Sequence, residues 1–521
     1  LFFRLRKPWK KIFIVSFPRF LAMAPHRRSP VFSLRTGFQL LIGSSLTLFS
    51  IPVHSAAIPE SVDVAIVGAG LSGLSAAKNL IAGGKSVVVL EARDRVGGKV
   101  LNKPLKNGGV TEVGAEFVGP TQDRVLATIA ELGLETFHVY NTGSSVWYRD
   151  GVRTTYVPDP ATGGLPPIDD VQLLQVATLI GEIDQYASEI NVSAPWSHPQ
   201  AAYWDSITLA QWVDLHVPLP DAKLLLETFS RAVFAAETRE ISFLYVVAYV
   251  ASAGDESNPG NLSRLISVDN AAQEQRVVGG TGLIPQGLAR VVGSNKIIFN
   301  AAVSAVTKQR DGSYKVVSKA GTVKAKKVVI ALGPVLMRRI TFTPALPNAR
   351  QQLNKKMFMP AIGKGIAVYD SPFWRTDEDL NAQVISDKGA TKVTFDNTPE
   401  GDTPAFGAIM GFILGDDMRA LDSKTPAQVQ EAVVSAYVNC FGQKAKNVTD
   451  FVLQRWDLEE WSKGGPVAVA GPGVIQQYGP ALRAVVDGIH FAGTETAEYW
   501  TGYMDGAIRS GERVAKEILG S

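Results

Sequence analysis

One cysteine, Cys440, stands in 521 residues. A chain with a single thiol forms no internal disulfide and carries no C-x-x-C redox pair or cysteine zinc site. Histidine is nearly as scarce. His26, His54, His138, His198, His216 and His490 are scattered, with none paired at metal-ligand spacing, so no metal centre is expected. G-x-S-x-G and G-x-x-x-x-G-K-[ST] are both missing, which sets aside nucleophile-elbow hydrolases and P-loop phosphate chemistry. No 18-residue apolar run lies near the C-terminus, and the closing E-I-L-G-S is not a peroxisomal tripeptide. The body of the chain also lacks a basic excess. Residues 1–57 hold nine Lys/Arg and no Asp or Glu; the rest holds 43 basic against 49 acidic residues, a net of −6. That balance gives no electrostatic basis for binding nucleic acid.

What remains is ordinary globular composition, 46% hydrophobic and 19% charged, long enough for two or more domains. The segment from Met23 reads as a secretory signal: Arg27, Arg28 and Arg35 precede an apolar run at residues 38–51, and Ser55 and Ala57 offer a cleavage site. The run is short for a bilayer span, so the expected product is secreted, with no stable membrane anchor once the signal is removed. Residues 1–22 are set aside from fold reasoning. Sequons at Asn191, Asn261 and Asn447 fit a secreted glycoprotein.

The first motif with chemical content is V-D-V-A-I-V-G-A-G-L-S-G-L-S at residues 62–75, followed by helical sequence and a second apolar strand ending at Glu91. Gly68 permits a tight strand-to-helix turn, Gly70 admits a pyrophosphate to the backbone, and Gly73 lets the helix pack on the strand. Leu71 and Ser72 begin the helix, whose free N–H groups face the phosphates. Glu91 is placed to accept hydrogen bonds from a ribose diol. This spacing predicts a Rossmann-type dinucleotide site and leaves nicotinamide and flavin both open.

The residues that follow resolve that choice by resemblance. E-A-R-D-R-V-G-G-K (91–99), G-A-E-F-V-G-P-T (114–121), V-V-G-G-T-G-L (277–283), K-K-V-V-I-A-L-G-P (326–334), S-P-F-W-R (371–375) and the closing G-T-E-T-A-E-Y-W-T-G-Y-M-D-G (493–506) together resemble the FAD-dependent monoamine oxidase family, in order over most of the chain. The resemblance implies an α/β fold in which a discontinuous FAD domain (58–136, 276–353, 458–521) is interleaved with an α+β substrate domain (137–275, 354–457). It places FAD against Gly68, Gly70, Leu71, Ser72, Gly73, Glu91, Ala92, Arg93, Gly98, Lys99, Gly114, Ala115, Glu116, Phe117, Val303, Trp456, Gly493, Thr494, Tyr503 and Met504. Lys99 stands where the family usually has arginine, so its phosphate contact is expected to be looser. The small residues of the closing helix (Gly506, Ala507, Ser510, Gly511, Val514) fit either a flat ligand or a neighbouring helix.

By the same resemblance, Lys364 and Tyr503 carry the chemistry: Lys364 with a water at the reactive nitrogen of the flavin, Tyr503 as one wall of an aromatic cage for the amine. The chain departs from the family at the second wall. Gly465 falls at the cysteinyl-flavin position and Pro466 at the second tyrosine, so FAD is expected to be noncovalent and the cage open unless Trp461 or Trp500 turns in. The expected pocket also includes Phe117, Ile266 and Leu283, the last making it more apolar than in relatives. The function implied is oxidative deamination of a primary amine by O2, giving carbonyl product, ammonia and hydrogen peroxide, with long or bulky amines admitted and a homodimer expected from the relatives. Alternatives are an L-amino-acid oxidase with Arg231 or Arg264 as carboxylate clamp, a polyamine oxidase using Glu116, or a flavin-binding protein without activity.

Overall fold

The computed structural model describes residues 57–159, 163–401 and 403–521. The expected secretory signal lies outside the described residues except for Ala57. Among the described residues no helix is long and apolar enough to cross a membrane.

The strands that open the dinucleotide motif are Val/Ile-rich and buried on both faces, the pattern of central parallel strands. Ser61–Val67 lies between Val87–Leu90 and Gly321–Ala331, parallel to both. Gly321–Ala331 is long enough to serve two partners on its other edge. Its first half pairs antiparallel with Tyr314–Ser318, and its last residues pair parallel with Ile489–Ala492. The sheet thus has eight strands, with Val303–Lys308 and Tyr314–Ser318 forming the hairpin expected around Asp311-Gly312. Helix Leu71–Ala82 packs on this sheet and against the closing helix Met504–Leu519.

A second sheet of seven strands comes from other parts of the chain, in the order Asp450–Arg455, Ile362–Tyr369, Gly407–Leu414, Val393–Asp396, Leu380–Ser386, Ser144–Arg149, Val152–Tyr156. Every residue of Ile362–Tyr369 is buried. The stretch 171–275 is helical, as its periodicity predicts. Asp169 caps Asp170–Glu189 by accepting from the Val171 and Gln172 amides, and Thr208 closes a capping box on Leu209–His216. Pro220–Phe234 and Phe243–Ser252, apolar but for its last residue, complete a helical core beside that sheet.

Candidate active site

A cavity of about 1050 Å³ runs from the first glycine turn to residues of the helical layer. At one end the strand Ser61–Val67 stops at Gly68, whose φ of +102° and whose approach to the Ala331 carbonyl (2.9 Å from an added Cβ) admit no side chain. Gly70 is extended, offers no capping side chain, and leaves the first amides of Leu71–Ala82 uncovered towards the cavity. A Cβ built on Gly70 meets nothing within 4 Å, and one on Gly98 meets only the Gly70 Cα, at 3.4 Å. These facing glycines make a cradle that fits a pyrophosphate. Gly73 has a different role from the contact expected of it. It does not line the cavity; its Cβ would fall 1.9 Å from the Gly68 carbonyl oxygen, so it seats the helix on the turn.

Glu91 is buried, and its carboxylate accepts from the Ala69 amide (2.7 Å) and the Arg93 amide (2.9 Å). Each oxygen keeps a lone pair for a diol. Ala92, Arg93, Gly114, Ala115 and Val303 also line this end, as does Trp456, whose indole donates to the Val113 carbonyl. Arg93 is held by Glu459 and Ser462. Lys99 points its ammonium at the Pro466 carbonyl oxygen (2.5 Å), and burial lowers its pKa. A cavity this size, with uncovered helix amides, an acid for a ribose and a half-buried cation, suits FAD.

At the other end Ile489–Ala492 delivers Gly493, with φ of +122°, and Thr494, whose hydroxyl accepts from the Gly502 amide and donates to the Tyr503 carbonyl. Tyr503 precedes the closing helix, which begins at Met504; both line the cavity. The Tyr503 ring stands edge-on to Trp500 (4.8 Å) and 6.2 Å from Tyr249, and burial raises its phenol pKa. Trp500 does not turn in: it is fully buried and donates to the Thr121 carbonyl. Trp461, Gly465 and Pro466 do line the cavity, with the Arg339 guanidinium over the Trp461 ring. Tyr249 also lines it, and sequence reasoning missed it. Its signal was Gly502, where an added Cβ would fall 2.3 Å from the Tyr249 hydroxyl.

Lys364 lines the cavity from the buried strand and donates to Glu116 Oε2 (2.6 Å) and to the Glu112 carbonyl (3.2 Å). Glu116 Oε1 accepts from the Asn397 amide (2.6 Å), while Arg276 donates to Glu112 Oε2 (2.6 Å). Two carboxylates, an ammonium and a guanidinium thus share one buried node. Burial raises the Glu112 pKa against the pull of Arg276. Both oxygens of Glu116 are engaged, so it is not a free acid for a second ammonium, contrary to the polyamine expectation.

Three further expectations are corrected. Leu283 opens the helix Leu283–Val292 and does not line the cavity. The residue that does is Gln273: its amide donates to the Leu265 carbonyl and its Oε1 is buried without a partner. The wall is therefore polar there. Arg231 is paired with Glu237, Arg264 donates to the Ala253 and Pro259 carbonyls, and neither lines the cavity. Ile266 and Phe117 stand where expected, Ile266 partly exposed and Phe117 against Phe395 at 5.2 Å.

The small residues of the closing helix serve mainly helix packing. An added Cβ on Gly511 would fall 2.3 Å from the Ser72 carbonyl oxygen, and one on Gly506 would fall 2.2 Å from that of Trp500; only Ala507 of the set lines the cavity. Fully buried Asp505 fixes this helix by accepting from the Arg124 and Val125 amides and from Arg509. Asp505→Ala is expected to cost about 3 kcal/mol, since it strips the cap of Asp123–Glu131 and one arm of a buried pair. Chemical denaturation checks this, with Asp505→Asn falling between it and the parent.

The comparisons with known proteins agree with this geometry. The family profile of flavin containing amine oxidoreductase matches residues 71–519. The chain is 34% identical over 461 residues to amine oxidase [flavin-containing] B of Homo sapiens, covering 88% of this chain and 86% of that protein. It is 35% identical over 462 residues to amine oxidase [flavin-containing] A of Sus scrofa, covering 88% and 85%. Among solved structures it is similar to putrescine oxidase bound to putrescine (TM-score 0.82, 30% identity, 88% of this chain and 99% of that one). It is also similar to cyclohexylamine oxidase from Brevibacterium oxydans (TM-score 0.81, 29% identity, the same coverage). With a dinucleotide cradle and a phenol and an ammonium lining one cavity, the chain belongs to the flavin-containing amine oxidases and is an FAD-dependent enzyme of that family.

Proposed function

We propose that this enzyme oxidatively deaminates hydrophobic primary amines with noncovalently held FAD. The observation that carries the reading is that Tyr503 and Lys364, brought from distant parts of the chain, line the same cavity as the glycine cradle. The eight-stranded sheet and its helices would form the cofactor domain, and the seven-stranded sheet with the helical layer the substrate domain. FAD, when bound, accepts two electrons and the α-hydrogen of the amine as a hydride and passes the electrons to O2. Overall, amine, O2 and water become carbonyl product, ammonia and hydrogen peroxide.

The protein's part is binding and placement. Apolar walls from Leu179, Ile183, Leu225 and Phe229 favour the neutral amine over its cation and admit an extended hydrocarbon. Tyr503, with Tyr249 behind it, orients the amine, and the free Gln273 Oε1 accepts from its N–H. Lys364 holds positive charge at the buried end, where charge develops during oxygen reduction. The start of the helix Met504–Leu519 adds its dipole in the same sense.

Noncovalent attachment is supported by the lack of any thiol at Gly465 and by the placement of Cys440, buried in the helix Pro426–Phe441 and not lining the cavity. The test is acid precipitation: yellow colour is expected in the supernatant, and colour retained in the pellet would refute it. A peroxide-coupled screen of alkyl, aryl, polyamine and L-amino-acid substrates tests the rest. Turnover of hydrophobic primary amines is expected, and turnover of L-amino acids alone would displace the reading. Secretion rests on the signal-like residues 23–57. Of the sequons, Asn191 and Asn447 are exposed, while the Asn261 side chain caps a helix. A glycosidase-sensitive mass shift would support glycosylation at the first two.

A further inference from the structure

Four carboxylates line the cavity, and three are occupied. Glu91 accepts two backbone amides, Glu116 is bound by Lys364 and Asn397, and Glu495 accepts from the Ala468 amide; all are at most 5% exposed. The fourth, Asp269, is exposed, on the loop after the helix Leu262–Ile266. Its hydrogen-bond partner is the Asn141 side-chain amide, at 2.8 Å. Among the described residues no Lys, Arg or His pairs with it. The cations that line the cavity are committed elsewhere: Arg93 to Glu459, Lys99 to the Pro466 carbonyl, Arg339 to Glu460, and Lys364 to Glu116.

Hydrogen bonds and ring contacts connect this carboxylate to the buried end along one wall. Asn141, which holds Asp269, accepts from the Gln383 side chain. Gln383 belongs to Leu380–Ser386, which pairs with Val393–Asp396; Phe395 of that strand touches Phe117, the neighbour of Glu116, which binds Lys364. Asn141, Gln383, Phe395, Phe117, Glu116 and Lys364 all border the cavity. The wall thus begins at a buried ammonium and ends at a solvent-facing carboxylate flanked by two amides, with apolar surface between.

From this arrangement we propose that Asp269, positioned by Asn141 and Gln383, is a distal cation site that selects amines carrying a second ammonium group at the far end of an extended chain. The proposal rests on the amine-oxidising reading above and names the class of substrate it favours. The reacting amine sheds its charge to enter the apolar end, while the distal one stays protonated against Asp269. A partly exposed ion pair of this kind is worth up to about a fivefold preference.

The experiment compares kcat/KM for 1-aminoalkanes and α,ω-diaminoalkanes of increasing length in the holoenzyme, with anaerobic bleaching of the flavin as a second readout. In the parent the diamine-to-monoamine ratio is expected to rise to a maximum, about fivefold above its short-chain value, at the length that spans the wall. Asp269→Asn flattens the maximum, and Asp269→Lys drives the ratio below one. Equal losses for monoamines and diamines in Asp269→Asn would mean general attraction of cations at the mouth and would overturn the proposal, as would an undiminished maximum. Flavin bleached by monoamines but by no diamine overturns the distal site alone; flavin bleached by no amine overturns the functional reading as well.

Discussion

Lys364→Met is expected to slow reoxidation of the reduced enzyme by O2 about a hundredfold, the loss typical of removing one preorganised charged donor from a dry site. Lys364 is 3% exposed and its ammonium is fixed by Glu116 and the Glu112 carbonyl, so its charge does not reorganise when the reaction demands it. The same change leaves Glu116 with Asn397 and the nearby Arg276, and breaking a buried pair costs about 3 kcal/mol even with such partial compensation. Rapid mixing of anaerobically reduced enzyme with O2, followed by flavin absorbance, isolates the oxidative step. The anaerobic reduction by amine is expected to fall far less. Equal loss in both steps would reduce Lys364 to a structural member of the Glu112–Arg276 node. Lys364→Arg keeps the charge on a broader group and is expected to recover part of the oxygen rate.

The second large effect separates two glycines of one motif. Gly70→Ala places a methyl group in open cavity space, at a φ of −72° that alanine adopts freely. Folding is therefore expected to be unaffected while FAD affinity falls by about tenfold or more, because the methyl group occupies the pyrophosphate approach. Gly73→Ala drives a methyl group to 1.9 Å from a backbone oxygen that cannot yield, and is expected to cost about 3 kcal/mol or more of stability. Thermal unfolding of the apoproteins beside titration with FAD distinguishes the pair: Gly70→Ala unfolds like the parent but binds weakly, and Gly73→Ala unfolds early. Similar unfolding of both variants would contradict the cradle.

The same contrast explains what could be read from the sequence. Turn glycines, the acid after the second strand and the apolar strands are local signals, since each reports a backbone conformation or a burial pattern within a few residues. They sufficed to place Gly68, Gly70 and Glu91 on the cavity and to anticipate the Asp311-Gly312 hairpin. Side-chain partnerships across the fold carry no such signal. Nothing near Glu116 in the sequence indicates that Lys364, Asn397 and Arg276 surround it, so an occupied acid looked free. Trp500 and Trp461 were equivalent candidates in sequence, and only the Thr121 carbonyl holding one indole and the Arg339 guanidinium covering the other ring separates them. Leu283 failed for a different reason. It lies one short strand and a glycine turn beyond Gln273, at the start of a helix that faces away from the cavity, and no local pattern marks which of the two positions forms the wall.

The strand order of the larger sheet has a consequence for biogenesis. Ile489–Ala492 takes its place beside Gly321–Ala331 late in the chain, and only then does Gly493 close the reactive end of the cavity. A growing polypeptide on the ribosome therefore has the phosphate turn long before it has a complete coenzyme pocket. Loading must wait for that strand, and until it arrives the exposed edge of Gly321–Ala331 is open to chance pairing with other chains. Riboflavin supply during expression should accordingly govern how much soluble protein is recovered, because the coenzyme secures the two ends of the chain together.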